Sequence, residues 1–200
     1  MGGLVYILGG KVYDFLDEYF ERTRYKKIRE KMLSGLKGKV LEAGCGTGRN
    51  FPYYNKNVSV IAFDKSLKML KIAKERIKLS KVNINLKQMD ITKIDLLDNT
   101  FDNVIATFIL CVLPKKIEKQ ALDELVRVAK PGARVYFLEY VYSQNKLRAF
   151  IMKATSLIPK LLFSIRFNTT YQLIKNNKSL KIERVGFVHD DVVRLIGECN

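Results

Sequence analysis

Residues 39–50 read KVLEAGCGTGRN, and the reading of this stretch decides the fold. Val40 and Leu41 form a short apolar run that ends in the acidic Glu42. Glycines follow at alternate positions, Gly44, Gly46 and Gly48, and Asn50 closes the stretch. A run of this kind predicts a buried parallel strand, and the glycines predict a tight turn that opens a helix. Glycine serves where the chain must turn sharply or approach a ligand more closely than a Cβ would allow. Amides at the start of the next helix lack partners within it and can face that ligand.

Outward from the turn, the run VSVIAF ends in Asp64, followed by Lys65. Asp64 lies about 20 residues past the first glycine, where nucleotide-binding α/β folds set a carboxylate for a ribose diol. Ser66 can cap the next helix, whose buried face is expected at Leu67, Leu70, Ala73 and Ile77, with lysines on the solvated side. A third strand is predicted over 82–86, with Asp90 and Ile91 just beyond it. In residues 99–114, NTFDNVIATFILCVLP, a fourth, central strand ends at Thr107 and Phe108. A helix over 117–129 buries Ala121, Leu122, Leu125 and Val128, and Lys130-Pro131-Gly132 stops it ahead of a fifth strand over 134–142. Runs at 180–185 and 192–196 fit a closing antiparallel hairpin, with His189, the one histidine, as a turn or surface residue between them.

E-x-G-x-G-x-G with the downstream Asp64 resembles the S-adenosylmethionine (SAM) site of class I methyltransferases. The order of segments from the glycine turn to K-P-G, including F-D-x-V-I-A-T-F-x-x-C-x-x-P, is similar to the group of quinone, phospholipid N- and alkyl-thiol methyltransferases. The resemblance runs over residues 13–196 and is strongest over 40–141. It implies an α/β fold: a Rossmann-like, doubly wound, seven-stranded, mostly parallel sheet with an antiparallel C-terminal hairpin, plus N-terminal helices. It also implies an enzyme that uses SAM and releases S-adenosyl-L-homocysteine. Carried over residue by residue, the cofactor-binding set is Glu42, Gly44, Gly46, Gly48, Asn50, Asp64, Lys65, Asp90, Ile91, Thr107 and Phe108. In that set Asp64 takes the ribose, Asp90 the adenine amine, Ile91 the adenine ring, and Thr107 and Phe108 face the sulfonium.

Tyr13, Asp14 and Tyr140 are the catalytic candidates. Many quinone and lipid methyltransferases carry a Tyr-Asp pair ahead of the glycine loop, on a lid over the cofactor. A helix-start carboxylate beside a packed tyrosine is the alternative reading of Tyr13 and Asp14. Tyr140 stands where many relatives have the histidine of Glu-His-Val, so a mechanism needing an imidazole there is unsupported. Tyr6, Tyr142 and Tyr171 complete the candidates for an aromatic wall around a cation.

The chain divides into an N-terminal helical lid or membrane-facing segment, 1–38, and a SAM-binding domain, 39–200, with a variable basic and apolar insertion at 143–178. The insertion has too many apolar residues for one buried stripe and too many charges for a span. It reads as an acceptor-site lid, a membrane-interface segment or a packed helical cap. Among 200 residues, 36 Lys and Arg against 20 Asp and Glu leave a net charge of +16. That balance suits an anionic membrane surface or nucleic acid, or reflects a lysine-rich composition with no specific partner. Residues 1–10 are apolar but short and lack a basic flank, against a secretory signal. Three cysteines without ligand spacing argue against a disulfide framework or metal site and for a reducing, cytoplasmic setting, peripheral to the inner face of the membrane if lipid is the acceptor. The expected acceptor is the amine of a phospholipid headgroup, with a soluble quinone precursor, thiol or other small apolar molecule as the alternative. RNA or protein is disfavoured: no RNA-binding module is appended, and FILCVLP stands where an N/D-P-P-Y/F motif would lie.

Overall fold

Burial is nearly continuous along the central strands, Val40–Ala43 and Asn103–Ala106 among them, as expected where successive side chains point to opposite faces and both faces are covered. The computed structural model describes residues 14, 18–167 and 169–200. Its strands are β1 (Gly38–Ala43), β2 (Val58–Asp64), β3 (Ile84–Gln88), β4 (Phe101–Thr107), β5 (Ala129–Tyr140), β6 (Leu180–His189) and β7 (Val192–Cys199). They form one sheet in the order β3-β2-β1-β4-β5-β7-β6. β1 to β5 are parallel, β7 runs antiparallel to β5, and β6 antiparallel to β7. This is the expected seven-stranded, doubly wound architecture with its C-terminal hairpin.

The helices are α1 (Lys26–Leu33), α2 (Leu67–Arg76), α3 (Lys115–Val128), α4 (Lys146–Thr155), α5 (Leu157–Phe163) and α6 (Thr169–Lys175). On one face of the sheet Leu41, Val104, Val135 and Phe137 pack with Leu122 and Leu125 of α3 and Ile174 of α6. On the other, Val40, Val60, Ile105 and Leu138 pack with Ile28 and Met32 of α1 and Leu70 of α2. β2 leaves β1 on one side and β4 lies on the other, so the strand order reverses at β1. The crevice beyond the carboxyl ends of β1 and β4 is where open α/β sheets place ligands.

Several boundaries differ from the sequence-based expectation. α3 ends at Val128, and Ala129 already pairs with Phe101, so Lys130-Pro131-Gly132 is an irregularity inside β5 and not the helix stop. Pro131 lacks an N–H for the ladder and Gly132 has φ +76°, so both suit a strand interruption. Leu67 is exposed, and Met69 is buried in its place, because the Ser66 cap turns the first helical residue outward. The hairpin strands are longer than predicted, and His189 ends β6, paired with Val192.

Leu122 is fully buried on the side of α3 that meets the sheet. Leu122→Ala is expected to lower unfolding free energy by ~2–5 kcal/mol, through lost transfer energy plus a cavity, in a denaturant titration.

Candidate active site

The glycine turn follows β1 directly, and Cys45 N–H donates to the Phe63 carbonyl at 2.8 Å, tying the turn to the end of β2. Gly44 has φ +63°, and a Cβ there would stand 2.5 Å from the Ile109 side chain. Gly46 has φ +53°, but an added Cβ meets no atom within 4 Å, because its open side faces a cavity. The helix expected next is only the single 3-10 turn Phe51–Tyr53, with Pro52 in its first residues.

The cavity, about 490 Å³, is bounded by the glycine turn, the ends of β1, β2 and β4, and the segment after β3. Asp64 accepts from Gly46 N–H at 2.9 Å and from Ser66 N–H at 2.8 Å. Burial pushes the Asp64 carboxyl upward, and those amides oppose the shift. Lys65 reaches Asp90 at 2.6 Å, linking the ends of β2 and β3. That ammonium, helped by the Thr92 amide, holds Asp90 down at about 2. Ile91, buried, adds an apolar surface beside Asp90.

At the other end of the cavity a buried polar network replaces water. Glu42 accepts from Asn50 Nδ2 at 3.0 Å and from the Tyr54 hydroxyl at 2.7 Å. Asn50 Oδ1 in turn accepts from Arg29 at 2.6 Å, and Asn50 Nδ2 lies 3.3 Å from Thr107 Oγ1. Arg29 is anchored by a buried ion pair with Glu21 at 3.1 Å. Desolvation raises the Glu42 carboxyl to about 7, although Tyr54, Asn50 and the Arg29 charge work against it.

Asp14 lies outside the cavity lining. Its carboxylate accepts from Thr47 Oγ1 and Arg76, each at 2.7 Å, and lies 3.2 Å from Arg49 Nε. It therefore clamps the segment preceding α1 to the glycine turn, since Thr47 and Arg49 themselves line the cavity. Tyr13 and Tyr6 lie outside the described residues.

Phe108 marks the boundary of a second cavity. Its φ is +56°, a conformation costing a bulky residue roughly 1–3 kcal/mol. The turn stacks its ring between Tyr140, 4.7 Å away, and Tyr25, 5.0 Å away. The tyrosine hydroxyls are 3.0 Å apart. Phe108, Tyr140, Tyr25 and Phe167 form one end of an apolar cavity of about 250 Å³, with α5 along its side. Arg24 and Asp191, an ion pair, are the only charged residues among its described lining. Phe108 and Val112 belong to both cavities. Tyr142 and Tyr171 are not among the lining residues: Tyr142 stacks on Phe167 at 5.2 Å, and Tyr171 packs against the core under Lys175.

All eleven residues expected at the cofactor site stand at the ends of β1, β2, β3 or β4 or in the turns beyond them, and all but Gly48 line the larger cavity. Arg29, Tyr25 and Arg24 were not foreseen as site residues. Their signal was a helical stripe, Glu21, Tyr25, Ile28 or Arg29 and Met32, in which a charge pair shares the buried face. Among the described residues no group of three or more His, Cys, Asp or Glu is placed to hold a metal.

A glycine turn, two carboxylates on adjacent strand ends and a crevice at the sheet's reversal define a nucleotide-cofactor-binding α/β protein. Residues 40–132 match the "Methyltransferase domain" family. The phosphatidylethanolamine N-methyltransferase of Cereibacter sphaeroides is 35% identical over 120 residues, 58% of this chain and 58% of that protein. The demethylmenaquinone methyltransferase of Paenarthrobacter aurescens is 36% identical over 124 residues, 58% of this chain and 46% of that protein. In fold, the chain is similar to a SAM-dependent methyltransferase from Aquifex aeolicus, with TM-score 0.66, 21% identity and coverage of 90% of this chain and 93% of that one. These likenesses support a class I SAM-dependent methyltransferase, similar over residues 40–132 to the group that includes the phospholipid and quinone enzymes. The chain spans about half of the length of the curated relatives it matches.

The larger cavity fits SAM on its own geometry. Its volume lies within the ~300–1,000 Å³ of small-ligand sites. It is acidic between Gly46 and Ile91, open in front of Gly46, and lined at the far end by polar groups from Arg29, Asn50 and Thr107.

Glu139, fully buried below Cys111, accepts from Cys111 N–H at 2.9 Å and, like Glu42, is raised by burial to about 7. Each carboxyl keeps its proton to about pH 7 when folded but releases it near its ordinary 4.5 when unfolded. Between those values the folded chain binds more protons, so stability should fall as pH rises from about 4.5 to about 7. Glu42→Gln and Glu139→Gln should each flatten that slope in denaturation midpoints measured across the window.

Proposed function

We propose that this chain transfers a methyl group from SAM to an amphipathic, lipid-like acceptor held in the smaller cavity. The observation that carries this reading is the apolar, aromatic cavity that shares Phe108 and Val112 with the cofactor cavity. SAM supplies an electrophilic methyl on a sulfonium, and the protein's task is to hold a nucleophile in line with it, which can supply much of the acceleration. Asp64 accepts from the ribose hydroxyls, Asp90 from the adenine amine, and Ile91 covers the adenine ring. Gly44 and Gly46 let the backbone close on the cofactor, Gly48 leaves room for the Phe51 ring behind the turn, and Glu42, Asn50 and Thr107 frame the cofactor's amino-acid end. Lys65 fixes Asp90 in place. The clamp through Asp14 on Thr47, Arg49 and Arg76 steadies the glycine turn.

On the acceptor side, Phe108, Tyr140, Tyr25 and Phe167 present aromatic faces that favour a cation, the charge an amine carries before and after methylation. An amine must lose a proton before it can attack, so a proton acceptor is needed beside it. The Tyr25–Tyr140 hydroxyl pair and the Asp191 carboxylate are the groups at hand. Arg24 and Asp191 together complement a headgroup carrying one phosphate and one ammonium, which supports a phospholipid amine as the acceptor. A quinone precursor, a thiol or another small apolar acceptor would use the same aromatic wall without that pair, and is the alternative.

Two measurements test the reading. Asp64→Ala should weaken S-adenosylhomocysteine binding by ~1–3 kcal/mol in calorimetry, the loss of a charge-assisted hydrogen bond; unchanged affinity removes Asp64 from the cofactor site. Methyl transfer from labelled SAM should place label in N-methylated phosphatidylethanolamine formed from a mixed-lipid substrate. Label found only in a panel of quinone precursors and thiols would assign the cavity to the soluble alternative.

A further inference from the structure

We infer that the outer face of the α4–α5 helix pair is a docking surface for an anionic lipid bilayer, and that α5 is the gate through which a lipid enters the smaller cavity. Six of the thirteen large apolar side chains exposed among the described residues lie within residues 147–161: Leu147, Phe150, Ile151, Leu157, Ile158 and Leu161. Phe150 and Leu161 are 69% and 61% exposed, more typical of polar surface positions than of core formers. Lys146, Lys153 and Lys160 are exposed beside them. Over residues 140–182 the chain has eight lysines and arginines and no aspartate or glutamate.

The charge pattern chooses the occupant. A second copy docked face to face would bring lysines against lysines with no carboxylate from this segment to answer them. An anionic bilayer answers both features: the apolar side chains sink to the acyl boundary, and the long basic ones reach back to phosphates. The inner side of the same helix pair supplies the link to the site. Pro159, Leu162 and Phe163 of α5 line the smaller cavity, and Ile158 is at once exposed and part of the lining. The wall between bilayer and cavity is therefore one helix of seven residues, ended by Ser164 in a left-handed conformation. At the other end of the pair, the Asn145 side chain caps α4 and Arg148 pairs with Asp190 at 2.9 Å, fixing the helix to the β6–β7 turn.

This inference deepens the lipid-acceptor reading and rests on it for the gate, whereas docking can be measured without cofactor or acceptor turnover. The experiment compares the full chain with Phe150→Ser/Leu161→Ser in sedimentation with vesicles of phosphatidylcholine alone or mixed with phosphatidylglycerol. Circular dichroism and S-adenosylhomocysteine affinity control for folding. Wild type is expected to sediment at least several-fold more with the anionic vesicles, less so as salt is raised, and the double variant is expected to lose most of that binding while keeping cofactor affinity. Equal sedimentation of the two proteins would overturn the docking surface. So would light scattering that shows a wild-type dimer, monomeric in the variant, since the face would then belong to a second copy. Label transfer to detergent-dispersed phosphatidylethanolamine separates the two readings. If that transfer is intact while the vesicle result is negative, the docking surface alone fails. If vesicle binding depends on the two residues but no lipid is methylated, docking stands and the lipid-acceptor reading and its gate fail.

Discussion

Glu42 imposes the constraint on which the rest of the site depends. A carboxyl buried at the end of β1 cannot be left without partners, because desolvation costs more than burial of its neighbours returns. The fold answers with Asn50 and Tyr54, and Asn50 in turn is held by Arg29, whose charge is matched by the buried Glu21. One chain of hydrogen bonds thus runs from the central strand through the glycine turn to the π-helical turn at Glu21–Tyr25 that leads into α1. Removing one partner of such a buried pair leaves a charge uncompensated, typically a loss of ~3–5 kcal/mol. Residues 21–29 are consequently part of the site's framework, and Asp14 joins the glycine turn separately through Thr47, Arg49 and Arg76.

The second constraint is Phe108. β4 must end at Thr107 for its hydroxyl to meet the Arg29 and Asn50 side chains, and the chain then turns through a conformation that disfavours a bulky residue. The local strain is held by the Phe108 N–H bond to the Leu138 carbonyl at 2.8 Å and by stacking on Tyr140 and Tyr25. Its consequence is a partition: a polar cavity on one side and an aromatic, apolar one on the other. In the proposed reading the methyl donor occupies the first and its lipid-like acceptor the second. No helix among the described residues is long and apolar enough to cross a membrane.

Much of this was legible in the chain itself. Glycines at alternate positions after an apolar run have few physical uses, and carboxylates at the ends of the next two strands narrow them further. The burial faces of α2 and α3 were read from helical spacing, with two exceptions: Leu67 is exposed, and Ile77 lies past the end of α2 and is only partly buried. Lys130-Pro131-Gly132 misled because the same three residues that stop a helix also suit a strand irregularity, and only pairing of Ala129 with Phe101 decides between them. Arg29 was hidden in KKIREKML, where charges suggest a solvated surface. Its burial depends on Glu21, eight residues earlier, and on Asn50, twenty-one residues later.

The sequence by itself determined the sheet, the strand ends that line the larger cavity and the absence of carboxylates from residues 140–182, because periodicity, glycine placement and charge are local properties. Tertiary structure alone decided that Tyr140, Tyr25, Phe108 and Phe167 share one cavity while Tyr142 and Tyr171 do not. Ring stacking depends on which strand end meets which helix, and residues 25, 108, 140 and 167 are brought together only when the turn leading into α1, the ends of β4 and β5 and the segment after α5 have packed. The same packing turns one side of α5 toward that cavity and leaves the other in solvent, a division its sequence, LIPKLLF, does not express.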